Sequence, residues 1–268
     1  MPSTLQAIAD LRPPRRRVRY GPHAQQLCEL HLPDGAGPHP VAVVLHGGFW
    51  RAPRTRRYIR PLCADLARAG WAAWNVEYRR VGRGQGGGWP ATFLDVAAGI
   101  DALSGVESPL DLGRVAAVGH SAGGHLALWA AARGRLPEGA PGAQPQVKIA
   151  AGVAALAAPS DLEASPDLYA PGGAVHDLMG SSPAEAPDDR YAIANPIRLV
   201  PIGVPVLLMH GDADETVPVR RSRDFAERAR AAGDNVTLLT PEGAGHRSVI
   251  DPRRGEWAEV VWWLTGRR

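Results

Sequence analysis

From residue 41 onward, short apolar runs alternate with helix-like segments, and this alternation constrains the fold more than any other feature. The run at 41–45 contains only apolar side chains, as expected of a strand that is buried on both faces of a sheet. A helical pattern with Leu62 and Leu66 follows it, and Gly70 lies just beyond its end. Strands that alternate with helices of ten or more residues predict an α/β fold, with a mostly parallel sheet and helices on both faces.

The same reading gives the predicted elements along the chain. Strands are predicted at 18–20, 26–32, 41–45, 71–76, 115–118, 147–156, 204–209 and 236–239. Helices are predicted at 55–69, 91–103, 122–133, 219–232 and 256–264. No linker divides the 268 residues, so we predict one domain over 1–268. Residues 1–17 are expected to form an N-terminal arm, and 159–201, rich in Pro, Ser, Asp and Gly, a cap over the carboxyl ends of the strands.

Cysteine usage and hydropathy exclude several classes of protein. Two cysteines, Cys28 and Cys63, are too few for a disulfide scaffold, and no Cys/His spacing matches a zinc site. The chain has no run of about 18 apolar residues and no signal-peptide pattern at its start. We therefore expect a cytoplasmic protein with free thiols, no membrane segment, no metal and no cofactor.

The charge is distributed unevenly. Of the 30 basic residues only Lys148 is a lysine, which leaves 29 arginines. Residues 1–80 carry 13 Arg against five acids, or +8, and the remainder carries 17 against 22, or −5. Such asymmetry is compatible with a nucleic-acid-binding face, but no nucleic-acid motif is present. We expect 54–60 to be a solvated helix face.

The segment 119–123, with the sequence GHSAG, places Ser121 between a predicted strand and a predicted helix. A tight turn at this point needs glycine on both sides of the serine, because larger side chains would collide with the strand and the helix. Helix N-terminal amides would then lie beside the Ser121 hydroxyl. We interpret Ser121 as a nucleophile rather than as part of an ordinary Gly/Ser turn.

A serine nucleophile needs a base, and the base needs an acid that orients it. In a strand–turn–helix context the acid and then the histidine follow later in the chain. Asp214 comes shortly after the predicted strand 204–209, and His246 lies in a glycine-rich loop after the strand 236–239. We predict Ser121, Asp214 and His246 as the catalytic residues. Asp212 is an alternative to Asp214, and two carboxylates without further ligands are thin evidence for a metal.

A third motif, HGGFW at 46–50, follows the strand 41–45. Glycines allow the backbone to approach a reacting carbonyl, and amides directed at the developing oxyanion stabilise it. We predict an oxyanion hole formed by the backbone N–H groups of Gly48, Phe49 and Ala122. Trp50, His120 and Trp89 are expected to contact the substrate.

These motifs resemble those of the α/β-hydrolase superfamily, in the esterase and lipase group with an HGG oxyanion loop. The resemblance covers roughly residues 20 to 265 and rests on HGGFW, Tyr78-Arg79-Arg80, GHSAGG, HGDADETVP and GAGH. HGG followed by an aromatic residue and Trp is similar to the kynurenine formamidase (arylformamidase) group, and the same motifs occur in small carboxylesterases. Relatives of hormone-sensitive lipase carry a third glycine where this chain has Phe49. The resemblance implies an α/β-hydrolase fold and a serine hydrolase without cofactor.

The resulting hypothesis is hydrolysis of small carboxylic esters, with aryl or short acyl groups, through an acyl-enzyme on Ser121. An arylformamidase that uses the same three residues is the alternative, and a non-catalytic protein that binds through its basic N-terminal third is a more distant one. The expected partner is a small ester or amide, without nucleic acid or membrane, and a homodimer is left open. Arg51, Arg79 or Arg80 is expected to favour an anionic group on the substrate.

Overall fold

The computed structural model describes residues 15–164 and 170–266. Eight strands among these residues form a single sheet. They are β1 (Arg15–Arg19), β2 (Leu27–His31), β3 (His39–Leu45), β4 (Ala72–Val76), β5 (Leu110–His120), β6 (Gly152–Leu156), β7 (Val206–Met209) and β8 (Val236–Leu239). The α-helices described are α1 (Arg60–Arg68), α2 (Ala91–Asp101), α3 (Ala122–Ala132), α4 (Ala174–Met179), α5 (Arg190–Ala194), α6 (Arg220–Ala231) and α7 (Gly255–Thr265).

The sheet has the order β1-β2-β4-β3-β5-β6-β7-β8. β2 pairs antiparallel with both β1 and β4, and every other neighbouring pair from β4 to β8 is parallel. The predicted α/β architecture with a mostly parallel sheet is therefore confirmed. The strand order reverses at β3, which pairs with β4 on one side and β5 on the other. In open α/β sheets, ligands bind outside the carboxyl ends of the strands at such a reversal.

Helices cover both faces of the sheet, and each face has its own apolar core. On one face, α1 and α7 bury Leu62 and Trp257 against the strands. On the other, α2, α3 and α6 bury Phe93, Leu126 and Phe225. Because both faces are covered, strand β3 is buried at all seven of its positions, which explains the apolar run at 41–45 within it.

Several predicted elements have different bounds in the structure; the strand predicted at 115–118, for example, is β5, which already begins at Leu110. The helix predicted at 55–69 is a 3-10 turn at Arg56–Ile59 followed by α1. Pro61 lies in the first turn of α1, where its missing N–H costs no hydrogen bond. The strand predicted at 147–156 begins only at Gly152, because the Val147 N–H donates to the Asp101 carboxylate instead of to a neighbouring strand.

The N-terminal arm was predicted too long. Arg15–Arg19 pairs with β2 over its whole length, so residues 15–17 belong to the sheet. Residues 1–14 lie outside the described part of the chain. Both cysteines are buried with free thiols. Among the described residues, no helix is long and apolar enough to cross a membrane.

The expectation of a solvated helix face at 54–60 is wrong. Arg56 is buried, and its guanidinium lies 3.2 Å from Glu29 and 3.2 Å from Glu77. Arg60 makes two hydrogen bonds to Glu29, at 2.8 and 2.5 Å. Part of the positive charge of the first 80 residues is therefore neutralised inside the molecule, which removes much of the argument for a nucleic-acid-binding face.

The turn between β5 and α3 is possible only because two of its residues have no side chain. A Cβ added to Gly119 would lie 2.0 Å from the carbonyl oxygen of Gly123. One added to Gly123 would lie 2.1 Å from the carbonyl oxygen of Leu45, at the end of β3. The second contact brings the start of α3 against the segment that follows β3, so the turn and the HGG loop lie side by side.

We predict that Gly123→Ala lowers the free energy of unfolding by about 1–3 kcal/mol, because a backbone carbonyl has to move to admit the methyl group. The matched control is Gly105→Ala, where an added Cβ meets nothing within 4 Å and the expected change is under about 0.5 kcal/mol. Urea unfolding of the two variants measures both values. Equal stability of the two variants would show that the close contact does not constrain the fold.

Candidate active site

Ser121 occupies a strained backbone conformation at the turn between β5 and α3. Its φ and ψ are 55° and −124°, a combination that non-glycine residues adopt only where the surroundings impose it. Its own N–H donates to the carbonyl of Leu156 at 2.8 Å, and its carbonyl accepts from the N–H groups of Gly124 and His125. The side chain is thereby presented at the carboxyl edge of the sheet, as expected for a nucleophile on a strand–turn–helix elbow.

Asp214 and His246 are in direct contact. His246 Nδ1 lies 2.7 Å from Asp214 Oδ2, and Oδ1 of the same carboxylate accepts the N–H groups of Thr216 and Val217 at 2.8 and 2.9 Å. Burial alone would raise the pKa of Asp214, but hydrogen bonds from His210, His246 and the Val217 N–H outweigh it and hold the pKa below its usual value. Asp214 is therefore ionised at neutral pH and orients the His246 ring.

The alternative acid, Asp212, has a different role. Its Oδ1 accepts the N–H of Gly243 at 2.7 Å, which joins the loop after β7 to the loop that carries His246. Asp212 is exposed, whereas Asp214 is buried behind His246. Of the two carboxylates that the sequence left open, the structure brings Asp214 to the histidine. Among the residues described, no group of three or more His, Cys, Asp or Glu side chains could hold a metal ion.

Two further histidines hold this arrangement in place. His210 Nε2 lies 3.2 Å from Asp214 Oδ2, and its Nδ1 lies 2.7 Å from the Ser222 hydroxyl. His120 Nε2 donates to the carbonyl of His246 at 2.8 Å. Burial, assisted by the nearby His246, lowers the pKa of His120 to about 3, so its ring is neutral at neutral pH. His210 was missed in the sequence, although it begins the HGDADETVP motif directly after β7.

The HGG loop is shaped by left-handed backbone at three consecutive residues, Gly48, Phe49 and Trp50, with φ of 121°, 57° and 57°. The buried Glu77 anchors the loop, because its Oε1 lies 2.9 Å from His46 Nε2. The Tyr78 hydroxyl donates to the His46 carbonyl at 2.7 Å, and its ring stacks on the His46 ring. These contacts fix the backbone of Gly48 and Phe49 beside Ser121, and both residues line the same cleft as Ser121.

His125 connects three parts of the site. It lies in the first turn of α3, accepts the indole N–H of Trp50 at 3.2 Å and donates from Nε2 to the Ala194 carbonyl at 2.9 Å. Trp50 belongs to the HGG loop, and Ala194 is the last residue of α5, within the segment 159–201. Burial lowers the pKa of His125 to about 4, in agreement with a neutral ring that both donates and accepts.

Two cavities meet at Ser121. The larger is a cleft of about 330 Å³ whose lining includes His120, Ser121, His246, Tyr58 and Arg247. The smaller is a pouch of about 20 Å³. Its mostly apolar lining includes Trp50, Ala122, Pro159, Ala174 and Val217.

Of the predicted substrate contacts, the structure brings Trp50 and His120 to Ser121 but not Trp89. Trp89 packs edge-on against Phe93 and lines a separate surface depression with Pro90 and Pro137. The glycine-rich sequence around Trp89 suggested a position at the rim of the active site. Instead, the backbone N–H of Trp89 donates to the Leu178 carbonyl at 2.6 Å, which holds Trp89 against α4.

The expectation that Arg79 or Arg80 favours an anionic substrate is also wrong. Arg79 makes two side-chain hydrogen bonds to Asp95, at 2.8 and 2.7 Å. Arg80 is buried, donates to Gln25 and to the carbonyl of Arg54, and lies 3.6 Å from Glu77. Both guanidinium groups are therefore used to hold the fold together.

Residues 28–229 match the model of the BD-FAE family. Among curated proteins, the chain is 28% identical over 252 residues to Esterase LipC of Mycobacterium tuberculosis, with 87% of this chain and 59% of that protein covered. It is 24% identical to the isoprenylcysteine α-carbonyl methylesterase ICME of Arabidopsis thaliana, over 90% of this chain and 58% of that protein. The chain thus spans about three fifths of the length of these relatives.

Solved structures resemble more than nine tenths of the chain. A carbohydrate esterase from gut microbiota, in truncated form, has a TM-score of 0.81 and 22% identity, with 96% of this chain and 97% of that one covered. An esterase of the planctomycete Thermogutta terrifontis, solved with propionate bound, has a TM-score of 0.72 and 24% identity, with 93% and 91% covered. The predicted α/β-hydrolase fold is confirmed by these similarities.

We predict that the neutral, buried His125 makes the protein less stable in mild acid. Its pKa is about 4 when folded and about 6.5 when unfolded, so the unfolded chain takes up a proton first as the pH falls. Stability from this residue is complete above about pH 6.5 and is lost towards pH 4. Between pH 7 and pH 5 the wild type should lose about 2 kcal/mol more than His125→Gln, which cannot titrate.

Urea unfolding of both proteins at several pH values within this window measures the difference. The other histidines are common to both proteins and cancel in the comparison. Parallel pH profiles would contradict a neutral His125 in the folded state.

Proposed function

The chain belongs to the BD-FAE family, and on that basis we propose that it is a carboxylic-ester hydrolase with Ser121 as its nucleophile. The observation that carries this proposal is the meeting of three groups at one edge of the sheet. Ser121 stands on a strained turn, His246 lines the same cleft, and Asp214 holds His246 by a 2.7 Å hydrogen bond. This combination matches the requirements of nucleophilic catalysis by serine.

In the proposed reaction, His246 accepts the proton of Ser121 as the hydroxyl oxygen attacks the ester carbonyl. Since Nδ1 is bonded to Asp214, Nε2 is the nitrogen free to accept this proton. The same nitrogen then protonates the departing alcohol, which leaves an acyl group on Ser121. A water molecule, deprotonated by His246, then attacks the acyl carbon, and His246 returns the proton to the Ser121 oxygen as the acid leaves. The ionised Asp214 stabilises the imidazolium that forms in each half of the reaction.

We propose that the backbone N–H groups of Gly48, Phe49 and Ala122 stabilise the oxyanion. Gly48 and Phe49 line the cleft, and Ala122 lines the pouch, so the three residues surround the carbonyl that Ser121 would attack. Each such donor contributes on the order of 3 kcal/mol to the transition state. The buried anchors of the HGG loop, Glu77 and Tyr78, support the fixed geometry that such stabilisation needs.

The pouch supports a short acyl group as the preferred acid component. Its volume of about 20 Å³ has room for about one methyl-sized group, and its apolar walls suit an acetyl group better than a long or charged one. The Thermogutta esterase, a structural neighbour, has been solved with propionate and with butyrate bound, which are also short acids. The preference for aryl substrates inferred from the sequence stays a prediction.

We also propose that the single domain over 1–268 includes a cap at 159–201. Arg51 of the HGG loop lies 2.6 Å from Asp177 and 2.8 Å from the Gly172 carbonyl. Pro159 and Ala174 contribute to the pouch. The described part of this segment thus forms one wall of the pouch that we propose for the acyl group.

The arylformamidase alternative uses the same three catalytic residues and stays a prediction. The cytoplasmic location and the homodimer also stay predictions. Comparing N-formylkynurenine with phenyl acetate as substrates distinguishes the two bonds directly. Faster turnover of the formamide would assign the chain to that activity.

We predict that Ser121→Ala lowers kcat/KM for 4-nitrophenyl acetate by at least about 10⁴-fold, because the variant has no nucleophile. The side chain is small, so the circular dichroism spectrum and the melting temperature should stay close to those of the wild type. Turnover near the wild-type rate would exclude the proposed mechanism.

We predict that Asp214→Asn lowers kcat on the order of 10³–10⁴-fold, since the amide neither orients the correct tautomer of His246 nor stabilises its charge. Asp212→Asn is the matched control, because its remaining oxygen still accepts the Gly243 N–H and it does not contact His246. Steady-state kinetics on both variants tests the assignment. A larger loss in the Asp212 variant would reverse the two roles.

A further inference from the structure

The cleft beside Ser121 carries two arginines that the proposed catalytic chemistry does not use. Arg54 and Arg247 both line it, and both are exposed. Neither forms an ion pair with an acidic side chain in the part of the chain that the structure describes. Among the described residues that line the cleft, none is acidic. The cleft is therefore a positively charged space open to a ligand.

Arg54 is held in this position by its surroundings. Its carbonyl accepts a hydrogen bond from the buried Arg80. Its side chain packs against Gly48, where an added Cβ would lie 2.4 Å from Arg54 Cβ. The guanidinium carbon stands 5.4 Å from the centre of the Tyr58 ring. The stem of Arg54 is thus fixed beside the HGG loop while its charge faces the cleft.

Arg247 follows His246 in the chain and lines the same cleft as Arg54 and Tyr58. Burial raises the pKa of Tyr58, and the positive charges of Arg247 and Arg54 partly oppose this rise. Tyr58 therefore keeps its proton at neutral pH and contributes an O–H donor to the lining of the cleft. Arginine guanidinium is well suited to bind carboxylate or phosphate, because its N–H groups form a planar fork.

Arg51 also lines the cleft but does not add to this free charge. Its guanidinium is paired with Asp177 at 2.6 Å and bonded to the Gly172 carbonyl at 2.8 Å. Of the three arginines that line the cleft, Arg51 therefore holds the segment around α4, and Arg54 and Arg247 face the ligand space.

The position of His246 decides which part of an ester enters the cleft. His246 has to protonate the departing alcohol, so the alcohol must lie on its side of Ser121. His246 lines the cleft and is not among the residues of the pouch. The acyl group accordingly enters the small apolar pouch, and the alcohol enters the cleft.

We propose that Arg54 and Arg247, with Tyr58, bind an anionic group on the alcohol part of the substrate, so that the protein prefers short-chain esters of alcohols or phenols that carry a carboxylate or phosphate. This inference rests on the proposed function and specifies its substrate class. The anion contributes to binding and takes no part in bond breaking, so it acts mainly on KM.

The test compares two acetates, 4-acetoxybenzoate and its neutral methyl ester, as substrates of the wild type, Arg54→Gln, Arg247→Gln and the double variant. The measured quantity is the ratio of kcat/KM for the anionic ester to that for the neutral one. Differences in intrinsic reactivity cancel when this ratio is compared between proteins. Arg57→Gln is the control, because Arg57 is exposed on the 3-10 turn that carries Tyr58 and does not line the cleft.

Each single substitution should lower the ratio about fivefold, as expected for the loss of one charge a few ångströms from the anion in a solvated cleft. The double variant should lower it about twentyfold, mainly through KM, and Arg57→Gln should leave it within about twofold. Raising the salt concentration to about 0.5 M should lower the ratio in the wild type and not in the double variant. Replacing the benzoate by 4-acetoxyphenyl phosphate distinguishes the two anions, since the larger drop identifies the preferred one.

An unchanged ratio in the double variant would overturn this inference. If the neutral ester is still hydrolysed there and Ser121→Ala abolishes that activity, the proposed function stands and only the anion specificity fails. If the wild type hydrolyses neither ester, the proposed function fails and this inference fails with it.

Discussion

The arrangement of the site depends on one close backbone contact, between Gly123 at the start of α3 and the carbonyl of Leu45 at the end of β3. Because hydrogen is the only substituent that fits there, the helix begins directly against the neighbouring strand. Ser121 is consequently forced into a sparsely populated conformation, and the HGG loop lies beside it. The strain is tolerated because the paired strands and both apolar cores determine the position of the turn. Ser121 is thus placed by the backbone of β3, β5 and β6 rather than by contacts of its own side chain.

The buried carboxylate of Glu77 supports the HGG loop. Glu77 follows β4 and contacts His46, Arg56 and Arg80. A charge removed from water is expensive unless several donors satisfy it, and the Glu77 carboxylate accepts from the His46 ring and from the backbone and guanidinium N–H groups of Arg56. The HGG loop is therefore fixed by a network whose members are far apart in the chain. This network explains why Arg56 and Arg80 are buried, although an arginine-rich sequence by itself suggests a charged surface.

The sequence was sufficient for the fold and for the residues that carry local signals. Alternating apolar runs identified most of the parallel strands, and the glycines around Ser121 identified the turn, because both are properties of neighbouring residues. Asp214 and His246 were found because each follows a strand, and parallel strands end at one edge of the sheet. Arg56, Arg79 and Trp89 were misjudged because their roles depend on partners distant in the chain: Glu29, Asp95 and Leu178. His210 was missed for the same reason, since its contact with Asp214 is visible only when the loop is folded.

The bonds that join the segment 159–201 to the rest of the site have a consequence for how a ligand is bound. His125 ties Ala194 to the first turn of α3, and Arg51 ties Gly172 and Asp177 to the HGG loop. Each of these contacts joins two groups of the chain itself and needs no ligand atom to complete it, so the conformational entropy of ordering the pouch is lost during folding and not during the encounter with substrate. A site built in this way is preorganised. It distinguishes ligands by whether they fit a pouch of fixed size, and it does not close around the ligand. A ligand that needs a wider pouch has to break contacts that also support the HGG loop.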